Sequence, residues 1–275
     1  MHGLSRRVGR AAEFRSPRPP VLWSYRFLLL AFSARRSDPL DVTVDGQNKD
    51  DGVQKHFENE APAYDEIIRA LIPHYKQMVS VVVRTLSFGE SDAIRVLDLG
   101  CGTGALTQAV LSAFPAARVT CVDSAAAMIG MARQKCRQNS NIEWVVCDFS
   151  AMTLGGPYDA VVSSLALHHL NSDAEKRAFY RRVYDALAPG GVFYNADVVL
   201  GASEPLQQMY MGEWCAFMRL SVPDGDIQGT WLPRYYAEDR PAPLVDQLLW
   251  LSEIGFREVD VIWKYFNFAV YGGRR

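Results

Sequence analysis

Val96-Leu97-Asp98-Leu99-Gly100-Cys101-Gly102-Thr103-Gly104 sets the architecture of this chain. An apolar run ends in glycines at alternate positions and passes into residues 105–114, whose spacing is helical. Glycine at such a turn lets the backbone fold tightly and approach a ligand with no Cβ in the way. Strand, glycine turn and helix make the opening unit of a doubly wound sheet. Outward from it, β-like runs and helical stretches alternate: strand 118–123, helix 125–139, strands 142–147 and 158–164, helix 173–187, strand 191–199. Each crossover returns over a sheet face, which predicts a parallel sheet wrapped by helices. Ala188-Pro189-Gly190-Gly191 reads as a helix stop and a turn into the next strand. Residues 204–220 and 241–254 read as further helices, and 257–264 with 267–271 as a closely joined antiparallel edge hairpin. The expected fold is therefore α/β: three layers around a doubly wound, seven-stranded, mostly parallel sheet. Upstream, Phe57, Ala61, Tyr64, Ile67, Ile68, Leu71 and Ile72 recur at helical spacing. They predict one or two amphipathic helices over 50–72, with another over 75–86.

Composition narrows the class. The 275 residues are 49% hydrophobic and 22% charged, which excludes a mainly disordered, collagen-like or coiled-coil chain. Five scattered cysteines, at 101, 121, 136, 147 and 215, offer neither a disulfide framework nor metal-ligand spacing, so a reducing compartment and no metal are expected. Residues 1–36 hold eight arginines against one acid, Glu13, which leaves 21 basic and 30 acidic residues for the remainder. Such an acidic body is a poor nucleic-acid binder. The apolar stretch 21–34 is interrupted by Arg26 and is too short to span a bilayer. Residues 1–47 are expected to be a disordered or artefactual Arg-rich arm and 48–275 the folded domain. A cytoplasmic location follows, with organelle targeting by the Arg-rich start as the alternative.

The glycine loop also speaks to the ligand. A dinucleotide site needs G-x-G-x-x-G, which brings pyrophosphate to a helix N-terminus. Here the glycines stand at 100, 102 and 104, preceded by Asp98. A carboxylate there repels pyrophosphate but suits an ammonium group and a sulfonium. Asp123 closes the next strand, placed for two ribose hydroxyls, and Asp148 closes the one after. Three strand-end carboxylates around this loop point to S-adenosyl-L-methionine (SAM) rather than to a nicotinamide or flavin nucleotide.

From about residue 56 to 275 the chain resembles the class I SAM-dependent methyltransferases. The resemblance rests on 96–104, Cys121-Val122-Asp123, Asp148-Phe149, Tyr158-Asp159-Ala160-Val161-Val162 and 187–191. Within that superfamily it is similar to the branch containing carboxy-SAM synthase, through Ala63-Tyr64-Asp65, Arg69, Ile72-Pro73, 165–170 and 264–269. The resemblance implies a Rossmann-like methyltransferase fold with a helical N-terminal cap and a lid insert over 201–240. It implies that Gly100, Cys101 and Gly102 line the methionine moiety, with Asp98 and Gly104 in the same loop. Asp123 would take the ribose, Ser124 and Met128 would lie near the adenine, and Asp148 and Phe149 would hold its amino group and ring. Tyr64 would reach the amino-acid end, and Ser164 would face the donor. The synthase branch carries Asn where Ser164 stands, which argues against a carboxylated donor.

His168 and His169 follow a strand end directly, where one would act as base or orient the acceptor. Tyr210 and Trp214 belong to an apolar stripe with Met209, Met211, Phe217 and Met218. The stripe either roofs an acceptor pocket or buries against the N-terminal helices or a second subunit. In the synthase branch an Arg from the following region binds a carboxylate, and Arg234 is the matching candidate. The expected function is methyl transfer from SAM to a small-molecule acceptor by direct displacement, with a homodimer as the expected assembly. A carboxy-SAM synthase-like enzyme linked to transfer-RNA wobble-uridine modification is the alternative.

Overall fold

The structure, a computed structural model, describes residues 47–275, with side chains from Gln54 onward. Residues 1–46, and with them the Arg-rich arm and its targeting reading, lie outside the described residues. Three helices lead: α1 (Gln47–Glu60), α2 (Tyr64–Leu71) and α3 (Tyr75–Thr85). Then come β1 (Arg95–Leu99), α4 (Ala105–Ala113), β2 (Arg118–Asp123), α5 (Ala126–Lys135), β3 (Ile142–Val146) and β4 (Tyr158–Ser164). A short turn, Leu167–His169, precedes α6 (Asp173–Ala186), β5 (Leu187–Val198) and α7 (Glu204–Met218). A π turn, Ile227–Trp231, runs into α8 (Leu232–Glu238), followed by α9 (Leu244–Ile254), β6 (Arg257–Tyr265) and β7 (Phe268–Arg274).

The strands form a seven-stranded sheet in the order β3-β2-β1-β4-β5-β7-β6. β1 to β5 pair in parallel, while β7 runs antiparallel between β5 and β6. β1 shows why. Parallel strands covered on both faces must be apolar throughout, and period-two alternation sends neighbours to opposite sides. Val96 joins one core with Val119, Ala160, Val162 and residues of α2 to α4 and α7. Leu97 and Leu99 join the other, with Phe179, Tyr180 and Val183 of α6 and Leu251 and Ile254 of α9. Each such side chain contributes about 1.5–3 kcal/mol on burial. Strand order reverses between β1 and β4, and at such a switch point an open α/β sheet leaves a crevice at its carboxyl edge.

Three boundaries differ from expectation. Ala188-Pro189-Gly190-Gly191 is not a turn between helix and strand but a bulge inside β5. Tyr158 pairs with Leu187 and Ala160 with Val192, and the chain terminus holds the bulge through Arg275 N–H to Gly191 O at 2.8 Å. α5 stops at Lys135, short of residue 139, where polar Gln138-Asn139-Ser140-Asn141 turns the chain. α9 starts at Leu244 rather than 241, because two prolines lack the N–H groups a helix needs and Pro243 instead bridges to Leu200. Of the stripe on α7, Met211, Trp214 and Met218 are buried with Ile68 and Ile72, so this part of it packs on the N-terminal helices.

Candidate functional site

At the switch point lies a cavity of about 1210 Å³, open to solvent. Its floor is the glycine loop. Gly100 has φ +66°, and a Cβ there would sit 2.2 Å from the Ala166 methyl, because the chain leaving β4 crosses directly over it. Gly102 (φ +52°) donates its N–H to Asp123 Oδ2 at 2.8 Å, while Asp123 Oδ1 accepts from Ala125 N–H at 2.9 Å. One carboxylate thus clamps the loop to the entrance of α5, and burial raises its pKa. Asp98 Oδ2 accepts from Thr107 Oγ1 at 2.6 Å. Its Oδ1 is buried, reaches the cavity wall and has no hydrogen-bond partner. Burial pushes Asp98 up to about 7. An acceptor left in that state is costly until a donor arrives.

Cys101, Ser124, Met128, Asp148, Phe149 and Ser164 line the same cavity, as does Tyr64 from α2. Asp148 accepts from Ser150 N–H (2.7 Å) and Ser150 Oγ (2.9 Å), and Phe149 leans on Phe179 with centroids 5.4 Å apart. Burial pushes the Tyr64 phenol upward and Tyr75, beside Ser164, up to about 12. Gly104 does not reach the cavity. It begins α4 at φ +82°, and a Cβ there would stand 3.0 Å from Ala132 Cβ, so it serves helix packing.

A second cavity, about 740 Å³, adjoins the first. Ile68, Leu71, Trp214, Trp231, Tyr235 and Phe268 make it largely apolar. Trp214 Nε1 donates to Leu71 O at 2.7 Å, so this stripe residue both packs on α2 and lines the cavity. Tyr210 is elsewhere. One helical turn before Trp214, its ring meets Phe266 edge-on and lies 4.1 Å under the Lys264 ammonium, so it packs on the β6–β7 connection instead of the cavity. Arg234 does line the cavity, yet Glu60 (2.5 Å) and Glu238 (3.0 Å) already neutralise it. A carboxylate ligand would find that charge taken.

Phe57, Tyr64, Leu165, His169 and Glu238 belong to both cavities and so ring the throat between them. His168 lies just behind, on the second cavity. Its Nδ1 meets Asp197 Oδ1 at 2.5 Å, and its Nε2 faces Asp239 Oδ1 at 3.6 Å. Burial opposes the charge, but Asp197 and then Asp239 outweigh it and push His168 up to about 10. Burial and the neighbouring His168 charge push His169 down to about 4, leaving it neutral.

Several residues here had no role assigned from the sequence. Glu58 of α1 accepts from the Ala126 (2.6 Å) and Ala127 (2.8 Å) amides, capping α5 from another part of the chain. Asp65 accepts from Thr103 Oγ1 at 2.6 Å and pairs with Lys135 at 2.5 Å, tying the N-terminal helices to the glycine loop. Asp197 offered one signal, a carboxylate at the end of an apolar strand, as Asp98 does. Asp239 offered none.

This topology, with carboxylates at successive strand ends around a glycine-floored crevice, defines a nucleoside-binding Rossmann-like protein. Comparison with known proteins specifies it further. A family profile described as "Methyltransferase domain" matches residues 96–191. An uncharacterized methyltransferase of Oceanobacillus iheyensis is 30% identical over 158 residues, 55% of this chain and 69% of that protein. The carboxy-S-adenosyl-L-methionine synthase of Helicobacter hepaticus is 26% identical over 231 residues, 80% of this chain and 95% of that protein. The DhpI–SAM–HEP complex shares the fold, with a TM-score of 0.58 at 23% identity, covering 85% of this chain and all of that one. The chain also matches malonyl-[acyl-carrier protein] O-methyltransferases, of whose length it spans 40–55%. The chain belongs to the class I SAM-dependent methyltransferases, whose cofactor is SAM. Among the described residues no helix is long and apolar enough to cross a membrane.

Proposed function

We propose that this enzyme moves the methyl group of SAM onto a small, largely apolar acceptor. The observation that carries the reading is the throat, where a cavity floored by backbone and bearing strand-end carboxylates meets an aromatic one. SAM, when bound, supplies a methyl carbon made electrophilic by a sulfonium. Asp98 Oδ1 fits the ammonium of its amino-acid end, Gly100 and Gly102 admit that chain, and Asp123 and Asp148 fit the ribose and the adenine. Tyr64 and Leu165 keep water from the throat. Ile68, Trp214 and Phe268 hold the acceptor in line, and alignment with water excluded supplies roughly 7–11 kcal/mol. An acceptor that carries a proton passes it to the cluster of His168, His169 and Asp239, whose neutral His169 faces both cavities. Neutralised Arg234 disfavours a carboxylated donor and hence the synthase-like alternative. Five unpaired cysteines support a reducing, cytoplasmic location. Exposed Val245 and Leu249 on α9 and Ile262 on the edge strand β6 support a homodimer, which light scattering on the eluted protein tests.

Methyl-labelled SAM incubated with the enzyme and fractionated cell extracts should place label in apolar small molecules, and mass spectrometry of retained ligand should find SAM itself. Label in RNA, or a retained donor heavier by a carboxyl group, would overturn the assignment. His169→Ala should lower kcat by about a hundredfold while SAM affinity holds.

A further inference from the structure

His168, His169 and Asp239 meet where two segments far apart in sequence are pinned together. The Arg240 amide donates to His168 O at 2.9 Å, which brings the residue after α8 against the Leu167–His169 turn. His168 Nε2 and His169 Nδ1 then stand 3.6 and 3.7 Å from the same Asp239 Oδ1, and the three ligand atoms lie within 4.8 Å of one another. A tetrahedral site with bonds of 2.0–2.2 Å has ligand edges of about 3.4 Å, so small side-chain rotations close the set.

Two further features distinguish this cluster from chance proximity. Asp197 Oδ1 holds His168 Nδ1, fixing the ring so that Nε2 points at Asp239. Asp197 is itself held by the Val198 amide at 2.9 Å and by Asn195 Nδ2 at 3.2 Å. A carboxylate behind a histidine, itself hydrogen-bonded, is the usual outer support of a metal ligand. In addition, His169 Nδ1 is buried with no hydrogen-bond partner. Nearby cations do not occupy the cluster: Arg234 is bound by Glu60 and Glu238, and Lys176 donates to Leu170 O.

We propose that His168, His169 and Asp239 form a binding site for one divalent transition-metal ion, of the Zn²⁺ or Co²⁺ type, on the acceptor side of the throat. Two imidazole nitrogens and one carboxylate oxygen suit such borderline cations and leave a coordination position open toward the second cavity. That position fits an oxygen ligand, so the site selects acceptors bearing a hydroxyl that the ion acidifies; with the ion bound, the proton passes to solvent in place of the cluster that accepts it in the metal-free enzyme. This role rests on the acceptor reading above, whereas the binding itself does not.

The test is spectroscopic and needs no turnover. Full-length protein stripped with chelator is titrated with Co²⁺, and its visible absorption is followed. The expected result is saturation at one ion per chain, an intense band of low coordination number, and displacement by Zn²⁺. His169→Ala and Asp239→Asn should abolish the band, and Asp197→Asn should weaken binding about 10–100-fold. Cys147→Ser, which removes the more exposed thiol, should leave it intact. Circular dichroism of each variant separates loss of ligand from loss of fold. Absence of a saturable band, or a band surviving both ligand substitutions in folded protein, would overturn the site. Methyl transfer would then stand without a metal.

Discussion

The two cavities are built by different means. The first is made of strand ends and backbone: Gly100, Gly102, and carboxylates at the ends of β1 and β2. The contacts of that floor are close in sequence or related by strand pairing, though α1 and α2 close it from above. The second is assembled from side chains of α2, α7 and α8, together with His168, and exists only once those helices have packed. A site made of backbone constrains sequence locally, whereas one made of packed side chains is free to change its ligand while the fold stays.

This contrast predicts which substitutions separate ligand binding from stability. Trp214→Ala should have the largest effect, about 3–5 kcal/mol off the unfolding free energy in urea, because a buried indole leaves a cavity between α7 and α2. SAM affinity should stay within about threefold at temperatures where the variant is folded. A parallel collapse of SAM binding would erase the distinction between the cavities. Gly100→Ala is next, with about 3 kcal/mol from left-handed backbone and the clash with Ala166. Unlike Trp214→Ala, it should also abolish SAM binding, read by calorimetry on the folded fraction.

A pH dependence follows from Asp98, whose folded carboxyl titrates at about 7 against an ordinary 3.8. Between those values the folded chain keeps a proton that the unfolded chain has released. The stabilisation is therefore full below about pH 4 and is lost as pH rises through 7. A cationic ligand reverses the preference, since its ammonium favours the carboxylate. SAM affinity should therefore rise with pH, approaching tenfold per unit below 7 and levelling above it. Asp98→Asn should flatten that profile. The smallest effect belongs to Glu58→Gln, about 1 kcal/mol for weakening a charged cap on α5.

Legibility in the sequence divides along the same line. Val96 to Gly104 announced strand, loop and ligand together, because the turn demands glycine and the buried strand demands apolar residues. Asp123 and Asp148 were readable as strand-end acids. Gly104 was misassigned to the ligand because a helix-packing glycine and a ligand-facing one look alike until Ala132 is seen beside it. Tyr210 was misplaced because the stripe on α7 did not reveal which residues faced inward. Arg234 was read as a carboxylate-binding candidate, and its neutralisation by Glu60, 174 residues away, left no trace in local pattern. Glu58 and Asp239 work through contacts of the same long range.

What the fold asks of SAM is most sharply examined through Asp123, which clamps the glycine loop and faces the crevice. Calorimetric titration of SAM into wild-type and Asp123→Asn protein, each verified as folded, should give one saturable site in the first. In the second, affinity should be weakened by about 30-fold or more, the equivalent of roughly 2 kcal/mol. Absence of saturable heat in the wild type, or undiminished affinity in the variant, would contradict the assignment of this crevice to the methyl donor.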